Sequence, residues 1–190
     1  NLNIDPIKES ENFVSEEKEV LSSEAALQGA MDIIAEDISD DAELRKSLRM
    51  YYKKNGTIHS KVTDESLDKD SIYLNYYDFS ESISKSAHHR ILAMDRGEKE
   101  NILKVSITSA DDTPKNLVSS KYANGNSLST QYVQMAAEDS FKRLIFPSIE
   151  REIRAELTEA AAEQAIKVFA ENLRQLLLQP PVKNNITLGL

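Results

Sequence analysis

The chain has no cysteine in its 190 residues, so disulfide staples and thiolate metal sites are excluded, while the redox compartment stays open. Aromatics are scarce at 6%, and no apolar run approaches the roughly 18–20 residues that a membrane-spanning helix needs. The opening residues carry neither a basic region nor an apolar h-region, so no signal peptide is read. A soluble cytoplasmic protein is the default expectation. There is no P-loop, no Gly-x-Gly-x-x-Gly and no nucleophile elbow. With three histidines and no H-E-x-x-H pattern, a metal site is not expected. His88 and His89 are adjacent on a helical segment, point about 100° apart, and cannot both reach one ion. The paired carboxylates Asp40–Asp41, Asp111–Asp112 and Glu138–Asp139 lack a metal-loop pattern or third ligand. Catalysis by this chain alone, with or without a cofactor, is therefore not expected.

What is present is 40% apolar and 29% charged residues, enough for a core and for solvated helical faces. The net charge of −9 is unevenly placed. Residues 1–41 hold 12 acidic side chains against 2 Lys, and the rest of the chain is close to neutral. Phosphate contacts need cations, so only local basic faces could serve nucleic acid.

Residues 1–21 read as an acidic opening segment, and 22–147 as a helical central region. Ser22–Ser23 starts a helix whose stripe is Leu27, Ala30, Met31, Ile34 and Ile38. Asp40 caps a second helix with Glu43 in its first turn, Leu44, Leu48 and Tyr52 on its apolar side, and Asn55–Gly56 as a left-handed stop. Its cations Arg45, Lys46, Arg49, Lys53 and Lys54 read either as a phosphate-binding face or as complements to the negative helix end, and the second is favoured. Residues 57–62 look extended, 63–71 form an acidic loop, and 72–79 make a helical turn or two. Ser86 caps a further helix that Gly97 ends, and Ile102–Ile107 is the best strand, a partner for 57–62. Residues 109–128 hold turn formers and should be a surface loop. Val133, Ala136, Ala137, Ser140, Phe141, Leu144 and Ile145 share a stripe that Pro147 should stop or kink. Residues 148–181 then read as a long connecting helix, capped by Ser148 and ended by Pro180–Pro181. From Ser148 to Leu178 it spans about 45 Å. The final residues 182–190 look like a new strand, so the chain reads as a piece of something larger. The fold class expected is mainly α: a multi-helical body with a small two-stranded β element and a long C-terminal helix.

Three blocks carry a resemblance: ALQGAMDIIAEDISDD at 26–41, HRILAMDRGEKENILKVSI at 89–107, and DSFKRLIFPSIEREIRAELTEAAAEQAIKVFAENLRQLLLQPP at 139–181. In order and spacing the chain resembles the Tex family of bacterial transcription accessory proteins, which carry an S1 RNA-binding domain. The resemblance implies the central helical body of such a protein, with ITLGL at 186–190 opening an RNase-H-like domain whose carboxylate lies past this chain. It implies RNA or DNA, and the transcription machinery, as partners of the parent protein, and a scaffold role for this segment.

Two cation groups are candidates for nucleic-acid contact. Arg90, Arg96 and Lys99 gather around Gly97, where turn amides and cations could hold a phosphate. Lys142, Arg143, Arg151 and Arg154 could line a positive groove. The competing readings are packing ion pairs for the first group, and for the second a Glu150–Arg154 pair on one helix face worth about 0.3–0.5 kcal/mol. The structural readings are favoured for both.

Overall fold

The computed structural model describes residues 4–180. Helix α1 (Pro6–Ser10) is capped by Asp5, whose carboxylate accepts from Ile7 N. A single antiparallel bridge from Ser15 to Val20 then ties the acidic opening segment down. Helix α2 (Ser23–Ser39) starts where the sequence indicates, with Ser22 Oγ accepting from Ala25 N. Ala35 and Ile38 are its buried positions, whereas Ala30, expected in the stripe, faces solvent.

Helix α3 (Ala42–Asn55) buries Leu44, Leu48 and Tyr52 as expected. Its cap is Asp41 instead of Asp40, because Asp41 Oδ1 is the atom that receives Glu43 N and Leu44 N. The chain passes from α3 directly into strand β1 (Gly56–Val62). Gly56 is not a left-handed stop, since its φ is −71°. Glycine is required there for space: a Cβ would collide with the Tyr52 carbonyl and sit 2.8 Å from Ile83 Cδ1.

The sheet has three strands in the order β2-β1-β3, one more than the sequence suggests. Strand β2 (Asp78–Ser82) falls on a polar segment, DFSES, that carries little strand signal of its own. Pairing with β1, Ser60 opposite Phe79 and Ile58 opposite Glu81, imposes the extended form. Strand β3 (Leu103–Ser109) pairs with β1 from Gly56↔Ser109 to Val62↔Leu103, as foreseen. Ile58, Val105 and Ile107 point from the sheet into the core.

Helix α4 (His88–Lys99) begins after Ala87, and Ser86 instead bonds Glu81. Gly97 does not end it. It lies inside the last turn, where an added Cβ would stand 2.6 Å from Leu103 Cδ1. The stop is Asn101, with φ 60°. Asn101 N and Ile102 N close back onto the Glu98 and Gly97 carbonyls, the double bond of a Schellman ending.

The expected loop at 109–128 contains helix α5 (Thr113–Tyr122), in which Pro114 sits in the first turn and Val118 is fully buried. Packing of Val118 outweighs the turn-forming composition. Helix α6 (Thr130–Asp139) runs through a π turn, Ser140–Ile145, into α7 (Phe146–Leu177). Pro147 therefore neither stops the helix nor starts a new one. It cannot donate to the carbonyl of Arg143 and its ring crowds that oxygen, and the widened turn just before it absorbs both defects. Within that turn the buried Ser140 Oγ donates to Ala35 O at 2.6 Å, pinning it to α2. The core gathers Ile38, Leu48, Tyr52, Ile91, Met94, Ile145, Ile149 and Ile153 from α2, α3, α4 and the α6–α7 run. The expected strand at 182–190 lies outside the described residues.

Candidate nucleic-acid interface

The seven cations singled out from sequence do not converge on one surface. Arg90, at the start of α4, donates to Glu81 Oε1 at 2.6 Å and lies over the Phe79 ring. Its partner is on β2, so for Arg90 the packing ion pair is the reading that holds. Arg96 and Lys99 are exposed, and neither forms an ion pair among the described residues. The turn that was to gather them does not exist at Gly97, since the helix continues through it.

On the α6–α7 run, Arg143 is held by Asp139, one turn earlier, and reaches Asp32 of α2 at 3.5 Å. Arg151 Nε donates to the Pro147 carbonyl, and Lys142 points to solvent. Arg154 is the most enclosed. It bridges Asp95 and Glu98 of α4 and donates to the Val105 carbonyl of β3. The expected Glu150–Arg154 pair is absent, because Glu150 Oε1 accepts Ile107 N at 2.7 Å. Glu98 Oε1 likewise accepts Val105 N at 3.0 Å. The outer edge of β3 is thus covered by side chains of α4 and α7, which closes it to further strand pairing. Burial pushes the Glu98 carboxyl upward, but the Arg154 bond, the Val105 amide and the Arg154 charge together outweigh it. The net result is a lowered pKa.

The basic face that does assemble is on α3. Arg45 Nη2 donates to Ser148 Oγ at 2.8 Å and to Glu152 Oε1 at 2.7 Å. Arg49 and Lys53 both pair with Glu156. Positions 45, 49 and 53 on α3 thus meet 152 and 156 on α7, each set spaced by one turn, and fasten the two helices. Beside this seam lies a groove of about 570 Å³ lined by Arg45, Lys46, Arg49, Lys53, Met50 and Glu152, among others. The sequence shows both charge sets, but each read alone is an ordinary helix face. Only their opposition marks them as an interhelix contact.

The second half of α7 is the other outstanding surface. Ile149, Ile153 and Ala161 are buried, yet from Glu163 onward every described residue is exposed. Ile166 and Phe169 are 68% and 67% accessible, and Leu173, Leu176 and Leu177 continue the stripe. A groove of about 630 Å³ runs between this stretch and α4, with His88, His89 and Leu92 on one wall and Ala161, Ala165 and Phe169 on the other.

A family model described as Tex central region-like matches residues 1–169. The chain belongs to the Tex family. Among its relatives, the uncharacterized protein YdcI of Bacillus subtilis is 48% identical over 182 residues, covering 95% of this chain and 25% of the relative. The transcriptional accessory protein Tex of Neisseria gonorrhoeae is 33% identical over 178 residues, 88% of this chain and 23% of that protein. The human S1 RNA-binding domain-containing protein 1 is 31% identical over 177 residues, 85% of this chain and 18% of its length. The chain thus spans about a quarter or less of these Tex relatives. Among the described residues no helix is long and apolar enough to cross a membrane, and no group of three or more His, Asp or Glu is placed to hold a metal.

Proposed function

We propose that this chain is a scaffold segment of a longer Tex-family protein, with α7 as a strut that holds the rest of that protein in place. One observation carries the reading. Helix α7 is rooted in the core through Ile153 and Ala161 and then presents an uncovered apolar stripe from Ile166 to Leu177. At 1.5 Å per residue, its 32 residues extend about 48 Å, long for a domain of this size. An exposed stripe that long needs a partner surface, and a parent protein about four times this length, as the YdcI relative is, has room for one. The names of the relatives, a transcriptional accessory protein and an S1 RNA-binding protein, support transcription and RNA as the setting of the parent protein. In this reading the segment itself has no catalytic role and works in the cytoplasm.

The test is a pair of substitutions in two contexts. Phe169→Asp with Leu173→Asp should leave the melting temperature of the 190-residue chain unchanged. The matching change in a full-length family protein should lower its melting temperature by several degrees. No effect in the full-length protein would contradict the strut.

A further inference from the structure

We propose that the cation-lined groove on α3 binds the phosphodiester backbone of nucleic acid. This rests on the nucleic-acid setting of the family and not on the strut. Four cations, Arg45, Lys46, Arg49 and Lys53, line or border the groove, and the facing helix answers them with two carboxylates, Glu152 and Glu156. Glu156 is shared by Arg49 and Lys53. Lys46 is exposed and has no ion-pair partner among the described residues. Arg49 has a buried Nε with no acceptor among the described residues. A guanidinium donor without an acceptor is costly, and its charge is only partly compensated. Asp40 on the rim is the remaining acidic group of the lining, so cations outnumber anions there.

The arrangement fits a chain of phosphates better than a single ion. Arg45, Arg49 and Lys53 succeed one another at four-residue steps, a row about 12 Å long. One strand of a nucleic acid presents a phosphate roughly every 3.4 Å along a duplex axis, so the row covers about three. Among the described residues no aromatic side chain lines the groove, so they offer bases no stacking platform. Contact is therefore with the backbone, independent of sequence and sensitive to salt.

Fluorescence anisotropy of the 190-residue chain with labelled single-stranded RNA and duplex DNA, over a salt series, tests the site. Arg45, Lys46, Arg49 and Lys53 against Glu152, Glu156 and Asp40 leave about one to two charges for phosphate, which predicts a log–log salt slope between about −0.7 and −1.4 for the single strand, at about −0.7 per contact. Lys46→Glu, which breaks no bond in the fold, should weaken binding about tenfold and flatten the slope by roughly one contact. Lys99→Glu, on α4, removes the same charge and should leave affinity within about twofold. Binding no better than millimolar, an unaffected Lys46→Glu variant, or equal losses from both reversals would each overturn the proposal. None of these outcomes bears on the strut, which is read without nucleic acid.

Discussion

At Asp41 one carboxylate does two jobs. Oδ1 caps α3 through two backbone amides, while Oδ2 takes Lys121 and the Tyr122 hydroxyl of α5. The Lys121 bond, then the Tyr122 bond and the Leu44 amide, hold its pKa far below the usual carboxylate range. Tyr122 moves the opposite way, pushed up to about 12 by burial and by the Asp41 charge. A depressed folded pKa gives stability that is complete above the unfolded value, about 3.9, and is lost as pH falls through the folded one. Asp41→Ala should therefore cost about 2 kcal/mol near neutral pH, combining a lost cap with a lost interhelix link. It should also reduce the drop in melting temperature below about pH 4, which melts from pH 2.5 to 7 would show. Sequence reading placed the cap one residue early, since Asp40 and Asp41 are equally good cap residues and only backbone direction decides between them. Arg154 is the second residue to test. Arg154→Ala leaves Glu98 and Asp95 facing each other partly enclosed, and should cost about 2–3 kcal/mol by denaturant titration, less than a fully buried pair because both ends stay partly wet. Adding Glu98→Ala should recover part of that loss.

At the scale of elements, what the sequence made legible was whatever packs with a clean period. The stripes of α3 and of the first half of α7, and the β1–β3 pair, were readable because Leu44, Leu48, Ile149, Ile153, Val105 and Ile107 sit at the spacing their partners need. Strand β2 and helix α5 were not, because DFSES and TPKNLVSSKY are polar segments shaped by what they dock against. The α4 ending shows the same limit: a glycine looks like a stop, but Gly97 is there for close approach and Asn101 takes the left-handed turn. Gly97→Ala should thus destabilise the α4–β3 contact by about 1–3 kcal/mol, as overpacking does, whereas a terminating glycine at positive φ would lose stability through strain. Denaturant midpoints give the magnitude. An unchanged midpoint would show that Leu103 can move aside.

Across the whole molecule, α7 divides into a packed half and a presented half. Leu157 packs against the core, so Leu157→Asp should lower stability by several kcal/mol. Leu173→Asp lies on the presented half and should stay within about 0.5 kcal/mol. The candidate site was less legible than the fold for a physical reason. Charges acquire meaning from what faces them, and Arg45, Arg49 and Lys53 meet Glu152 and Glu156 more than a hundred residues away in sequence. The uncovered apolar stripe, by contrast, was visible as periodicity but could not be distinguished from core until its neighbours were placed.

Residue-resolved hydrogen exchange along α7 of the 190-residue chain tests the central claim most directly. Amides up to about Ala161 should be protected to near the global stability, and those from Glu163 to Leu177 should exchange orders of magnitude faster. Uniform strong protection to Leu177 would contradict the account, because the stripe proposed to meet the rest of a Tex protein would already be covered.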